Sequence, residues 1–263
     1  MNFEYVILND KDKLAAFKGQ ILTLFEKCFD KELPLQIWDW AYYGNPAGSA
    51  IVSLCFFERE LIGHYAVIPV SYRKGNEKIK ACLSMTTMVD VAYRKYGIFV
   101  KQAQQVYEAA GACGMKFVVG FPNVKSISGF KKRLNWQIDK EDYVAVVTKK
   151  QLCQSSSLKN CVNSENLVML DVTDNAFLKW RLTKPGLSYI DRQGVIIKDY
   201  DISKDIVFLN HRYEEVLNDN EIYNVLIDGS IDDFWEYKAF DYPFGYRILD
   251  ENFKKDLLMS DVF

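Results

Sequence analysis

The chain has 263 residues, 49% of them hydrophobic and 26% charged, which is an ordinary balance for a globular protein of one large domain or two small ones. Its net charge of −2 at pH 7 gives no general attraction to polyanions, and this argues against nucleic acid as a partner. No apolar run approaches the ~20 residues that cross a bilayer, and the first residues lack the features of a signal peptide, so we expect a cytoplasmic protein that does not bind membranes.

The cysteines and histidines argue against two further classes of protein. The six cysteines include no Cys-x-x-Cys pair and several lie in apolar runs, as buried free thiols do in a reducing compartment. Only two histidines are present, and neither has the spacing of a metal-ligand set. We therefore expect neither a disulfide framework nor a metal site.

The first 90 residues alternate between strand and helix patterns. Residues 13–29 carry apolar side chains at helical spacing. Residues 34–43 open with a proline and are followed by the Gly-Asn-Pro sequence of residues 44–46, as is typical of a helix and its end. In chain order we predict a strand over 3–8, helices over 13–29 and 34–43, and strands over 50–57, 61–72 and 78–89.

The segment 88–99, Met-Val-Asp-Val-Ala-Tyr-Arg-Lys-Tyr-Gly-Ile-Phe, predicts the end of a strand, a tight basic turn and the start of a helix over 97–113. Arg94, Lys95 and Gly97 lie in the turn. Free N–H groups at a helix N-terminus, with basic side chains beside them, bind phosphate oxygens, and glycine lets a ligand approach the backbone closely. The turn is therefore predicted to be an anion site.

A second motif follows this helix. Residues 115–123, Met-Lys-Phe-Val-Val-Gly-Phe-Pro-Asn, predict a short buried strand that ends at a Pro-Asn break. A short helix over 124–134 comes next, and Asn-Trp closes it at residues 135 and 136. We expect residues 136–148 to supply the last strands of this domain.

The second half is less regular. Residues 151–166 are polar and rich in Ser and Asn, which predicts a linker or a long loop. Residues 167–263 again alternate strand and helix patterns, but they contain no second Arg-x-x-Gly turn. We expect a smaller lobe without a phosphate site of its own.

The pattern Arg94-x-x-Gly97-x-Phe99 resembles the pyrophosphate loop of the GNAT N-acetyltransferases, usually Gln/Arg-x-x-Gly-x-Gly/Ala, although Phe99 stands where a small residue is usual. The sequence Gly-Phe-Pro-Asn, followed by Leu-Asn-Trp, resembles the branch with the Eis-type and related bacterial acetyltransferases. The resemblance covers roughly residues 3–150. It implies an α/β (α+β) fold, with a GNAT-like mixed, mostly antiparallel sheet flanked by helices.

Two-lobed relatives carry a second GNAT-like lobe without its own cofactor loop. The resemblance therefore implies an acyl-CoA-binding GNAT domain over 1–150, a linker over 151–166 and a second, reduced GNAT-like lobe over 167–263.

The resemblance also implies acetyl-CoA as co-substrate and no metal. Backbone N–H groups of the turn would hold the coenzyme A diphosphate, and the neighbouring strand edge would meet the pantetheine amides. The cofactor-binding residues predicted in this way are Val89, Val91, Arg94, Lys95, Tyr96, Gly97, Ile98, Phe99, Asn123, Ser126 and Phe130. Phe130 stands where the family often has a tyrosine that protonates the departing thiolate.

The acceptor side offers two sets of candidates. Attack by an amine needs a group that accepts its proton, and His64 or Asp90 could do this directly or through water. A lone histidine in a strand is, however, more often structural. Trp40, Tyr43 and Asn45 lie near the end of the second predicted helix and are candidate substrate-binding residues. The alternative for such an aromatic segment is a helix anchored by buried indoles.

These features together predict an acyl-CoA-dependent N-acetyltransferase that acts on a primary amine of a small molecule, as a monomer or homodimer. Related bacterial proteins point to amino sugars of surface-polysaccharide pathways, aminoglycosides or peptides, and the charge balance with the aromatic helix favours an amino sugar or another polar cationic amine. Two alternatives remain. A Fem-like aminoacyl transferase predicts a basic surface and a helical insertion, and the sequence shows neither. A non-catalytic module that binds or senses coenzyme A is favoured by Phe130.

Overall fold

The computed structural model describes residues 1–138, 142–200, 203–229, 231–251 and 253. The strands are β1 (Glu4–Leu8), β2 (Ile51–Phe57), β3 (Glu60–Lys74), β4 (Glu77–Val89), β5 (Phe117–Gly120), β6 (Gln137–Ile138), β7 (Tyr143–Thr148), β8 (Val168–Leu170), β9 (Ser188–Arg192), β10 (Val195–Asp199), β11 (Lys204–Phe208), β12 (Ile222–Ile227), β13 (Lys238–Asp241) and β14 (Gly245–Ile248). The α-helices are α1 (Lys11–Ala15), α2 (Lys18–Phe29), α3 (Leu35–Trp38), α4 (Ile98–Ala112), α5 (Val124–Leu134), α6 (Lys149–Gln154), α7 (Ser156–Val162), α8 (Asn175–Arg181) and α9 (Tyr213–Val216). A π-helical turn (Asp39–Tyr43) and two 3-10 helices (Val91–Tyr96 and Asp232–Tyr237) complete the described elements.

The first sheet has the strand order β1-β2-β3-β4-β5-β14-β6, and β8 pairs with the far end of β3. Its neighbours are antiparallel except for β4 and β5, which run parallel. β1 to β4 lie on the four strands predicted for the first 90 residues. The long buried run of β3 forms the centre of this sheet, with helix α4 packed against it.

The second sheet has the order β13-β7-β12-β11-β10-β9 and contains one parallel pair, β11 and β12. One face is covered by α6, α7 and α9, whose apolar side chains form a core with Tyr143 and Tyr223. On the other face, Val144 and Leu226 join the main core of the first sheet. The two sheets therefore share buried contacts.

The boundary between the two halves differs from the one expected near residue 150. β7 pairs along its length with β12 in the second sheet, whereas β14 returns to the first sheet and lies between β5 and β6. The segment 151–166, expected to be a linker, holds α7 and most of α6. Two of its polar residues take part in helix caps: Gln151 forms a capping box with Thr148 at the start of α6, and Ser155 caps α7. Residues 254–263 of the predicted second lobe lie outside the described residues.

Two tryptophans fasten α8 to the first half of the chain. The rings of Trp40, in the π-helical turn, and Trp180, in α8, stack with centroids 4.5 Å apart and planes 7° apart. Each indole N–H donates to the backbone carbonyl of the other residue, both at 2.8 Å. Both side chains are buried. This reciprocal pair joins segments 140 residues apart in the sequence.

No helix in the described ranges is long and apolar enough to cross a membrane.

Replacement of Trp180 by Phe should lower the free energy of unfolding by about 2 kcal/mol, because it removes one buried hydrogen bond and part of the stacked ring. Urea unfolding followed by circular dichroism measures this change. Trp235→Phe is the control, since that ring is 54% exposed and its loss should cost less than about 0.5 kcal/mol. Equal losses in the two variants would contradict a fastening role for the pair.

Candidate active site

A cleft opens where β4 and β5 separate. The two parallel strands pair only where Cys82 and Leu83 lie opposite Val118 and Val119. β4 then continues to Val89 along β3, while β5 ends at Gly120 and the chain turns away towards α5. The space between the diverging strands is a cleft with a volume of about 260 Å³.

The walls of this cleft are aromatic and hydroxyl-bearing. β4 forms one wall, the turn between β5 and α5 forms the other, and α2 contributes its last side chain. The lining residues are Phe29, Ser84, Met85, Thr86, Thr87, Gly120, Phe121, Pro122, Asn123, Ser126, Phe130 and Trp136. None of these lining side chains is ionisable, and no group of three His, Cys, Asp or Glu in the described ranges could hold a metal ion.

A bulge in β4 shapes the cleft wall. His64 of β3 lies opposite Met88 and Ala66 lies opposite Met85, so β4 carries one extra residue between these pairs. Within the bulge, Thr86 has a φ of 53°, an unusual left-handed conformation for a β-branched residue. The Thr86 carbonyl lies 2.7 Å from Nδ1 of His64. The bulge is thus tied to the neighbouring strand through a side chain.

His64 lies behind the cleft wall and does not line the cleft. Because a carbonyl can only accept, Nδ1 must carry the proton that it donates to Thr86. Nε2 is buried and has no hydrogen-bond partner among the described residues. Burial lowers the pKa of His64 from 6.5 to about 4, so the ring is neutral at pH 7. The position and pKa favour a role in holding the bulge over a role as general base.

Asp90, the other predicted base, ends β4 and begins the 3-10 helix. Its buried carboxylate accepts from the backbone N–H of Ala92 at 3.1 Å and forms an ion pair of 2.6 Å with Lys27 of α2. Burial acts to raise its pKa, but the bonds to Lys27 and Ala92 outweigh burial and the pKa is lowered. The ionised carboxylate therefore joins α2 to the start of the 3-10 helix.

β4 ends at Val89, as predicted, and the predicted basic turn forms a 3-10 helix that Asp90 caps. Val91 is consequently exposed and lies outside β4, which removes the strand-edge contact predicted for it. Arg94 donates from Nε to the Val89 carbonyl at 3.0 Å, while Lys95 is exposed. Gly97 has a φ of 73° and precedes the 15-residue helix α4. A Cβ there would meet no atom within 4 Å, so this helix start is open to a ligand.

Phe99, which departs from the small residue usual in the pyrophosphate loop, packs beneath α5. Its ring lies 5.1 Å from that of Phe130, and a Cβ at Gly129 would come within 3.2 Å of it. Glycine at residue 129 thus makes room for the larger side chain. Phe130 itself is buried between Phe99 and Trp136, with one side on the cleft. Of the remaining predicted loop residues, Tyr96 is exposed, and Ile98 is buried in the first turn of α4.

Asn123 and Ser126 form the start of α5 at the mouth of the cleft. The Asn123 side chain accepts from the backbone N–H groups of Lys125 and Ser126, each at 3.1 Å. The Ser126 hydroxyl donates to the Asn123 carbonyl at 3.0 Å. Asn123 therefore caps the helix, the Ser126 hydroxyl is bonded to this capping residue, and both residues line the cleft.

The structure does not bring Trp40, Tyr43 and Asn45 to the cleft. Trp40 is held by Trp180. Asn45 is buried and donates to the Pro69 carbonyl at 2.8 Å, while the Tyr43 carbonyl accepts from Lys11 at 2.6 Å. These contacts give the segment an anchoring role.

Of the lining residues, only Asn123, Ser126 and Phe130 were predicted as site residues, and the sequence prediction missed Phe29, Ser84, Met85, Thr86, Thr87, Gly120, Phe121, Pro122 and Trp136. The run Ser-Met-Thr-Thr at residues 84–87 is the available signal, because small hydroxyl side chains interrupt an otherwise apolar strand. Phe29 and Trp136 have no such local signal.

No protein-family model matches the sequence, and no curated protein matches it. Solved structures do match. A GCN5-related N-acetyltransferase from Kribbella flavida superposes with a TM-score of 0.60 at 9% identity, over 94% of this chain and 72% of that one. A probable N-acyltransferase from Enterococcus faecalis V583 gives 0.61 at 8% identity, over 95% and 73%. Eis1 from Mycobacterium abscessus gives 0.56 at 11% identity, over 95% and 74%.

The chain has the GNAT fold. The predicted fold class, a mixed and mostly antiparallel sheet flanked by helices, is confirmed, and the matches extend through the second half of the chain. At these identities the likeness concerns architecture, so the function is argued from the cleft itself.

The low pKa of His64 makes stability depend on pH. The folded-state pKa lies below the unfolded value, so the unfolded chain binds more protons than the folded one between pH 6.5 and about 4. The free energy of unfolding therefore falls as the pH drops through this range, by at most about 1.4 kcal/mol per pH unit. His64→Asn, which keeps a donor for Thr86 but does not titrate, should abolish that part of the slope. Unfolding curves at several pH values measure it, with His211→Asn as the control. An unchanged slope in His64→Asn would contradict a buried neutral imidazole.

Proposed function

We propose that the chain is an acyl-CoA-dependent N-acyltransferase that transfers the acetyl group of acetyl-CoA to a primary amine of a small molecule. The observation that supports this most directly is the cleft between β4 and β5, whose wall is formed by the same strand that leads to the glycine-led start of α4 in a GNAT fold. An amino sugar, as used in surface-polysaccharide synthesis, is the leading acceptor. The aromatic and hydroxyl-bearing lining matches the faces and hydroxyl groups of a sugar ring.

The coenzyme would bind along one edge of β4. At the start of α4, the backbone N–H groups of the first residues and the helix dipole favour the diphosphate, and Arg94 and Lys95 add positive charge nearby. Val89 and Ser84 lie opposite Gly63 and Val67 of β3, so this bulged part of β4 spans four strand steps, about 13 Å at the usual rise of a strand. An extended pantetheine arm covers a comparable distance. The thioester would therefore lie in the cleft, where the strands begin to separate.

The reaction needs one bond made and one broken. The amine nitrogen attacks the thioester carbon, the C–N bond forms, and the C–S bond breaks to release the coenzyme thiolate. The amine proton leaves through water in the open cleft, because no ionisable side chain lines it. The thiol pKa is about 8.5, as for cysteine, so the released coenzyme thiolate can take a proton from solvent near neutral pH. In this proposal His64 and Asp90 hold the bulge and the 3-10 helix.

A second candidate is a module that binds coenzyme A without catalysis. The uncharged lining of the cleft favours it, as does Phe130 in place of a tyrosine. The two candidates share the coenzyme site and differ in turnover.

A thiol-release assay separates them. The protein is incubated with acetyl-CoA and a panel of amines that includes glucosamine, nucleotide-linked amino sugars, an aminoglycoside and a peptide amine. We expect release of free thiol above the rate of hydrolysis with an amino sugar. Acetyl-CoA binding without release for any amine would favour the module. No binding at millimolar acetyl-CoA would refute both candidates.

Gly97→Asp should weaken acetyl-CoA binding at least tenfold, about 1.4 kcal/mol, because it places a negative side chain at the predicted diphosphate site. Titration calorimetry measures the affinity. Gly114→Asp is the matched control, since Gly114 also has a left-handed φ and open space around it but follows the far end of α4. Equal affinities in these two folded variants would show that the start of α4 is not the site.

A further inference from the structure

Four side chains form a continuous hydrogen-bonded chain behind the cleft. The Trp136 indole N–H donates to the Tyr107 hydroxyl at 2.8 Å. The Tyr107 and Tyr65 hydroxyls are 2.8 Å apart, and the Tyr65 hydroxyl is 2.9 Å from Ser84 Oγ. Both tyrosines are buried, and Trp136 and Ser84, at the two ends of the chain, both line the cleft next to Gly120. The chain thus connects two lining residues of the cleft through buried hydroxyl groups.

The direction of this chain follows from its first member. Trp136 Nε1 can only donate, so the Tyr107 hydroxyl oxygen accepts this hydrogen bond. The proton of the Tyr107 hydroxyl still needs an acceptor of its own. Within the described residues, the other polar neighbour of this hydroxyl is Tyr65. A buried hydroxyl proton without an acceptor costs about 1–3 kcal/mol, so Tyr107 donates to Tyr65. By the same argument Tyr65 donates to Ser84. The Ser84 proton then remains for an acceptor outside the chain.

Ser84 presents that proton at the narrow end of the cleft. Leu83 is the last residue of β4 that pairs with β5, so Ser84 is the first residue after the strands separate. Gly120 faces it, since a Cβ at Gly120 would lie 3.4 Å from Cβ of Ser84. Because Ser84 is half-buried and lines the cleft, a bound ligand can reach its hydroxyl.

We propose that the Ser84 hydroxyl, oriented by Trp136, Tyr107 and Tyr65, is a fixed hydrogen-bond donor to the carbonyl oxygen of the acyl thioester. The proposal rests on the proposed function, which places the thioester at this end of the cleft. A donor held in place before the reaction stabilises the negative charge that develops on this oxygen during attack, and it keeps its proton throughout. Ser84 would then supply stabilisation in a cleft that has no ionisable lining side chain.

The test compares acetyl-CoA with coenzyme A, which has no thioester carbonyl. In Ser84→Ala the affinity for acetyl-CoA should fall about 3- to 10-fold, the effect of one hydrogen bond, while the affinity for coenzyme A stays within twofold. Ser84→Thr keeps the hydroxyl and should restore the parental ratio. Equal changes for both ligands, or no change in Ser84→Ala, would overturn the proposal. If the parent binds neither ligand, the proposed function itself fails.

A double-mutant cycle with Tyr107→Phe tests the orienting chain. Loss of the Tyr107 hydroxyl should lower the preference for acetyl-CoA in the parent but have no further effect in Ser84→Ala, because both changes act through one donor. Additive effects would contradict the chain as the orienting device. If Tyr107→Phe does not fold, as judged by its melting temperature, the Ala and Thr variants of Ser84 still decide the main claim.

Discussion

The separation of β4 from β5 is the constraint on which the candidate site depends. Trp136 lies at the point of separation. A Cβ atom added to Gly120 would come within 3.2 Å of its ring, and one added to Gly245 would come within 2.9 Å. Gly120 and Gly245 lie opposite each other in the β5–β14 pair, and together they make room for one indole packed over that pair. The pairing of β4 with β5 ends beside this ring, and the chain leaves β5 towards α5. β14, on the opposite edge of β5, keeps that short strand in the sheet.

The buried polar groups near the cleft are used to fix backbone geometry. His64 holds the Thr86 carbonyl at the bulge, and Asp90 joins Lys27 to the 3-10 helix. Each group has the residue type of a general base, yet its partners and its lowered pKa assign it to the support of the wall or the loop. In the proposed reaction, the chemistry of the cleft then depends on backbone groups, hydroxyl groups and solvent. A cleft whose donors are uncharged depends on their precise placement. The buried contacts of His64, of Asp90 and of the two tyrosines behind Ser84 hold the strand and loop that carry these donors.

Local pattern was sufficient for much of the first half. Apolar periodicity placed β1 to β4 and α4, and the Arg-x-x-Gly turn with the later Pro-Asn break indicated the fold. Long-range pairing was not accessible in this way. Nothing in residues 143–148 shows that they pair with β12, and nothing in residues 245–248 shows that they return to β5, because either strand pattern suits either sheet.

The candidate site was predicted less well than the fold, for a similar reason. The turn at Arg94 and Gly97 was predicted from its residue types, but the ion pair between its capping residue Asp90 and Lys27 joins residues that are distant in sequence. Trp40 was aromatic enough for a binding residue, and only the position of Trp180 shows that it is an anchor. Ser84 and Trp136 become site residues only when the diverging strands place them at one cleft.

A crystal structure of the protein with coenzyme A bound tests the central claim most directly. We expect the diphosphate to lie against the backbone N–H groups at the start of α4, with the pantetheine arm along β4 and the thiol in the cleft near Ser84 and Gly120. Coenzyme A bound elsewhere, for example in the larger cavity of about 400 Å³ that Arg73, Glu165 and His211 help to line, with the β4–β5 cleft empty, would contradict it.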